Sequence, residues 1–307
     1  MAKKDHLLSI GERLEIDIDA FGEKLVKHIS MCKIRYRGSL SSHGIAVIAP
    51  EYCWERNDPD DQLIEMGLLK TFKSWWEIYA LLFADAGDSL TRELEALRKS
   101  WETWIQRTHW FDIPTTAEEA RENLSITFDT TKRLLKALRK TGTSLVVLII
   151  DTNSLLICPD VQAYRQCVEE TKFAVVIPST VLGELDELKV FGKSPAVQNR
   201  ARKAISRLKG YRTQGSLVEG VTIDKTISLK TLSAEPDFSK TLQVLDRANK
   251  DDRIIAMTLQ VQRENPSQVV VVVTSDINLQ TKCAAIKIPF VEPPENIDAM
   301  VEVEHIC

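Results

Sequence analysis

Four short stretches in the second half of the chain each place an acidic side chain where an apolar run gives way to a turn or a helix start. Asp151-Thr152-Asn153 follows the run 145–150, and Thr274-Ser275-Asp276 follows the run 269–273. Pro178-Ser179 opens a helical pattern that carries Glu184, and Asn249-Lys250-Asp251-Asp252 opens another that continues Arg253-Ile254-Ile255-Ala256. Each has a structural reading by itself, because Asp is a common N-cap and a helix glutamate is commonly solvated. Taken together they point elsewhere. Carboxylates gathered within a few ångströms repel one another, so such a cluster as a rule persists because it holds divalent cations. Carboxylate and water ligands suit Mg2+ or Mn2+, and two such ions activate a water and stabilise the leaving oxygen of a phosphodiester. No His or Lys at these motifs makes a convincing metal-free general base.

For these acids to meet, the elements between them must bring them to one edge. Residues 145–150, 173–177, 217–223, 269–273 and 288–291 read as strands, the third weakly. Residues 180–189, 196–209, 252–262 and 277–285 read as helices between them. Strands apolar on both faces and separated by helices predict a parallel sheet covered on both sides. In such open sheets the ligand site lies at the carboxyl ends of the strands, near the switch in strand order. That is where the four motifs fall.

The order D-T-N after a strand, P-S-x-x-L-x-E-L on the next helix, D-D-R-I-I-A later and V-T-S-D after a further strand resembles the PIN family of nucleases. The resemblance covers about 144–294, roughly half of the chain. It implies a three-layer α/β/α sandwich with a central, mostly parallel sheet. It also implies a cluster of acids that binds Mg2+ or Mn2+ and hydrolyses single-stranded RNA as an endoribonuclease. Carried over by position, Asp151, Glu184, Asp252 and Asp276 are the metal ligands and catalytic residues. Asp252 is preferred to Asp251 by its distance from the Ile-Ala pair that follows, with Asp251 assisting. Asn153, Thr274 and Ser275 match polar positions that orient ligands or water. The 67 residues between Glu184 and Asp252, with two weak strand-like runs in 208–248, and the 143-residue leader are foreign to the small toxin-type members. Both look more like the larger nucleases of RNA quality control and decay. The alternatives are a non-catalytic RNA-binding or scaffold protein on this fold, or a toxin-type nuclease held inactive by a partner. Four retained acids favour an enzyme. A phosphotransfer receiver ranks last, since Lys287 precedes the final strand instead of following it.

Forty Lys and Arg against 44 Asp and Glu give a net charge of -4, so any hold on nucleic acid must be local. The local feature is Lys189, Lys193, Arg200, Arg202, Lys203, Arg207, Lys209 and Arg212, with no acidic residue among them. Set just after Glu184, this run is expected to bind RNA phosphates, against the alternative of a solvated helix face. Lys33, Arg35, Tyr36 and Arg37 form a second, weaker candidate.

All six tryptophans precede residue 111, and the β-branched runs follow residue 144, which divides the chain near Thr143. The expected organisation is a mainly helical domain over 1–143, a nuclease domain over 144–294 and a tail over 295–307. The first half shows helical patterns at 61–83, 89–108 and 116–140 and a short strand at 45–49, with Trp75, Trp101 and Trp104 expected in the core. This half is left open to RNA, a second copy, a protein partner or a role in covering the site. His28 and Cys32 have i, i+4 spacing that could share a metal, but without a second ligand pair they read as packing or surface. Six scattered cysteines without a C-x-x-C pair predict a reducing, cytoplasmic setting. No apolar run approaches the ~20 residues of a membrane span.

Overall fold

A computed structural model describes residues 7–36, 52–55, 59–109, 113–138 and 145–295. The expected strand 45–49, Arg37, Trp110, Thr143 and the residues beyond 295 lie outside these. The chain divides into two compact units, Gly11–Lys140 on one side and Thr141–Cys307 with Met1–Ile10 on the other.

The first unit consists of helices α1 (Ile10–Met31), α2 (Pro59–Leu81), α3 (Asp88–Gln106) and α4 (Ala117–Leu138), with an antiparallel pair β1 (Ile34–Tyr36) and β2 (Tyr52–Trp54). The opening of α4 follows from its sequence. Thr116 accepts a hydrogen bond from the Glu119 N–H, and the Glu119 carboxylate accepts from the Thr115 N–H, a reciprocal cap. Helix α1 has no counterpart among the expected helices, because Leu-Glu-Ile-Asp-Ile-Asp alternates with the period of a strand. The stripe Leu14, Ile18, Phe21, Leu25 and Ile29 is nevertheless fully helical in spacing, and all five are buried. Gly22 lets α1 come close to α4, since a Cβ there would fall 2.0 Å from the Phe128 ring. Trp75, Trp101 and Trp104 are core residues as expected. The Trp101 indole donates to Thr131 Oγ1 at 3.1 Å, and that of Trp75 donates to the Leu14 carbonyl at 3.1 Å.

His28 and Cys32 do gain a third potential ligand. Their ligand atoms and one of Asp61 all lie within 4.8 Å of one another. A cation is already there, however. Arg107, 2% exposed, donates from Nε to Glu65 at 2.6 Å and lies 3.4 Å from Asp61. Burial pushes the Cys32 thiol up to about 11, and burial together with Arg107 holds His28 below its ordinary value, so both stay neutral. The cluster is a buried ion pair capped by two uncharged side chains, the arrangement that desolvation of Arg107 requires.

In the second unit the chain runs β3 (Val146–Ile150), α5 (Thr152–Ile157), a 3-10 turn (Val161–Cys167), β4 (Phe173–Ile177), α6 (Ser179–Phe191) and α7 (Pro195–Arg212). It continues with β5 (Val221–Ile223), β6 (Ile227–Thr231), α8 (Lys250–Glu264), β7 (Val269–Val273), α9 (Ile277–Ala285) and β8 (Phe290–Val291). The six strands form one sheet in the order β5-β6-β4-β3-β7-β8, parallel throughout except for the β5–β6 pair. Every residue of β3 and β7 is buried, as strands covered on both faces must be, and the helices complete an α/β/α sandwich. Instead of one strand over 217–223, a shorter β5 turns at Asp224 and Lys225, both at positive φ (48° and 55°), into β6. Positive φ at both central positions is what a tight hairpin demands. Helix α5 was not expected, being only 6 residues long.

The chain leaves β3 towards β4 and β6, then returns to β7 on the other side. The switch in strand order therefore lies between β3 and β7, and a crevice opens at their carboxyl ends.

Candidate active site

Asp151 leaves β3 directly into this crevice. It is the N-cap of α5, accepting the Ser154 N–H at 2.7 Å, and its other oxygen accepts the Thr274 hydroxyl at 2.5 Å. Thr274 also accepts the Asp276 N–H at 3.0 Å, so one buried hydroxyl joins the acids that follow β3 and β7. Asp276 is in turn the N-cap of α9, accepting from the Asn278 N–H at 2.8 Å. Both acids are oriented by the caps that Asp favours, so the structural and the chemical readings of these residues hold together.

Glu184 comes from the opposite wall, on α6. It accepts a hydrogen bond from the Thr152 hydroxyl, and Lys250 Nζ lies 3.3 Å from it. The fourth acid comes from α8, whose N-cap Asn249 accepts from the N–H groups of both Asp251 and Asp252. Here the structure departs from the expected set. The cavity, about 180 Å³, is lined by Asp151, Asn153, Glu184, Glu187, Asp251 and Asp276 among others, and Asp252 is not part of its wall. Asp252 is 7% exposed and turned towards the protein. It accepts the Asp246 N–H at 2.9 Å and receives Lys282 Nζ at 2.7 Å. Asp251 takes the cavity position together with Ile254, one helical turn on.

Of the polar positions expected to assist, Asn153 lines the cavity and is exposed. Thr274 lies behind the wall, bracing Asp151, and Ser275 is exposed but not part of the lining. The sequence reading missed Thr152, Glu187, Lys250 and Lys282. Lys250 stands inside the Asn249-Lys250-Asp251-Asp252 motif, which is the sequence signal for it. Thr152 and Lys282 become relevant only through contacts across the fold.

Burial dominates the electrostatics of two of the acids. Burial raises the Asp151 carboxyl above its ordinary range, and neighbouring Asp276 adds to this against the hydrogen bonds from Ser154 and Thr274. Burial likewise raises Asp251, with Asp276 and Asp252 adding and Lys282 opposing. All donors are hard oxygens, which suits Mg2+, Mn2+ or Ca2+ and not a soft metal. Among the described residues His28, Cys32 and Asp61 are the group of three within 4.8 Å, so the cavity acids stand more widely spaced.

The basic residues divide into two sets. Lys189 is ion-paired with Asp186. Arg207 lies 3.1 Å from Asp160 and donates to the Tyr211 hydroxyl at 3.1 Å. Lys193, Arg200, Arg202 and Lys203 are exposed on and just before α7, the helix packed against α6. No helix among the described residues is long and apolar enough to cross a membrane.

Residues 148–292, just short of half the chain, match the model of the PIN domain family, whose members are generally nucleases. A comparison with curated proteins gave no match.

Proposed function

We propose that the PIN domain of residues 148–292 is a divalent-metal-dependent endoribonuclease that hydrolyses phosphodiester bonds in single-stranded RNA. One observation carries this reading: Asp151, Glu184, Asp251 and Asp276, delivered by four separate elements, line one cavity at the strand-order switch. Asp151, Asp251 and Asp276 would hold Mg2+ or Mn2+, with Glu184 facing them. When bound, the ion supplies Lewis acidity towards water and neutralises charge on the phosphate. The protein's own contribution is position. Thr274 fixes the Asp151 carboxylate, Thr152 fixes that of Glu184, and exposed Asn153 offers an amide to a phosphate oxygen. In this reading Asp252 is a positioning residue that ties the start of α8 to Asp246 and Lys282. The test is cleavage of an end-labelled single-stranded RNA by the purified chain. Cleavage with Mn2+ that stops with chelator is expected; cleavage indifferent to chelator, or none, overturns the assignment.

The exposed part of the basic stretch would hold the strand beside the cavity. Charge reversal at Arg200 and Lys203 is expected to weaken RNA binding about tenfold or more. It should also flatten the salt dependence, by about 0.7 in log–log slope for each phosphate no longer neutralised. Unchanged affinity across a salt titration sinks that role. Arg207 is a poorer probe, because Asp160 already engages it.

The domain boundary near Thr143 is supported by the division of the chain between Lys140 and Thr141.

A further inference from the structure

The acids of the cavity fall into two groups that are treated differently. Asp151, Asp251 and Asp276 gather at the ends of β3 and β7 and the start of α8, and no lysine that lines the cavity pairs with them. Lys282, which reaches Asp252 at 2.7 Å and Asp251 at 3.6 Å, does not line the cavity. Glu184 and Glu187, one turn apart on α6, also face the cavity. Between them stands Lys250, with Nζ 3.3 Å from one Glu184 oxygen and 3.0 Å from one Glu187 oxygen. A second cation held by these two glutamates would compete with the ammonium for the same oxygens.

We propose that the Lys250 ammonium takes the place of a second metal ion, so that the site loads one divalent cation on Asp151, Asp251 and Asp276 and uses Lys250 as its other positive charge towards the scissile phosphate. The inference rests on the nuclease reading above and decides a point that reading leaves open, the number of ions. The local structure suits the role. Lys250 is the first residue of α8, where its backbone is fixed by the Asn249 cap while its side chain is about half exposed. An ammonium is a compact point charge able to donate to several oxygens, so it can turn from the two glutamates to an incoming phosphate. The two glutamates keep it pointed into the cavity until then.

Manganese binding distinguishes the possibilities without reference to turnover. Free Mn2+ is counted by electron paramagnetic resonance during titration of the wild type and the Lys250→Met, Lys250→Arg and Asp151→Asn variants. The wild type is expected to bind one ion per chain. Lys250→Met is expected to bind a second, its affinity raised about ten- to a thousandfold over the wild type, the scale on which one nearby charge shifts a proton equilibrium. Lys250→Arg should keep one. A half-exposed first-turn lysine is dispensable for folding, and an unchanged circular dichroism melt checks this. Two ions on the wild type, or one on Lys250→Met at unchanged affinity, overturns the proposal and leaves the nuclease reading standing. A wild type that binds no Mn2+, or binds it no better than Asp151→Asn does, overturns the nuclease reading and this inference together.

Discussion

Asp151→Asn is expected to lower Mn2+-dependent cleavage of single-stranded RNA about a thousandfold or more while leaving the chain folded. Loss of a hydrogen bond that only orients a metal ligand costs about 10–100-fold, so loss of a ligand charge costs more. Asn is also a good N-cap, so the bond from the Ser154 N–H survives and α5 keeps its start. Stability should move the other way from activity. The folded chain holds the Asp151 carboxyl above its ordinary value, so the native state binds this proton more tightly than the unfolded state does. Its contribution to stability therefore grows as pH falls towards the raised value and is unfavourable at neutral pH. Removing the charge is expected to raise the melting temperature of the metal-free protein at pH 7. Because Asp251 is raised as well, metal loading should fail at a higher pH on acidification than ordinary aspartates would give. A variant as active as the wild type removes Asp151 from the chemistry.

The second large effect separates two neighbouring residues. Asp251→Asn is expected to reduce cleavage about 10²- to 10³-fold, as loss of a direct ligand should. Asp252→Asn is expected to retain activity within about tenfold and to lose roughly 1.5–3 kcal/mol of stability, the range for hydrogen bonds to charged groups. Asp252 accepts from the Asp246 N–H and from Lys282, and the neutral amide meets that ammonium less well. Parallel kinetics and urea unfolding of the two variants decide the matter. Normal cleavage in Asp251→Asn with an inactive, stable Asp252→Asn would restore Asp252 as the ligand.

Which of these two aspartates lines the cavity marks where reading the sequence stops. The strands were legible because β3, β4 and β7 are apolar on both faces, and β4 and β7 begin and end where the apolar runs do. Their carboxyl-end acids followed from the fold class, so Asp151 and Asp276 were placed by the same argument as the sheet. The rotation of α8 was not legible. Ile254, Ile255, Ala256, Met257 and Leu259 are all buried, and a helix buried nearly all round carries no polar face to say which of two adjacent acids turns to the crevice. Tertiary packing sets that angle. Lys250 was missed for a different reason: a lysine in an acidic motif looks like solvated charge until Glu184 and Glu187 arrive from another helix. In the first half, α1 was hidden because alternating Ile and Asp imitates a strand over a few residues. Only its longer stripe, Leu14 to Ile29, gives the helix away.

Thr274 carries a consequence for how variants of this chain are interpreted. Its hydroxyl is sealed from solvent, donates to Asp151 and accepts from the backbone of Asp276, so it sets the distance between two acids without facing the cavity itself. A change to valine would pass as a conservative replacement in the interior, nearly equal in volume and harmless by hydropathy. Yet it would free the Asp151 carboxylate and leave the Asp276 N–H without its acceptor at once. Damage to this cavity can therefore originate at a position that surface inspection, proximity to ligand and similarity of side-chain shape would all score as safe.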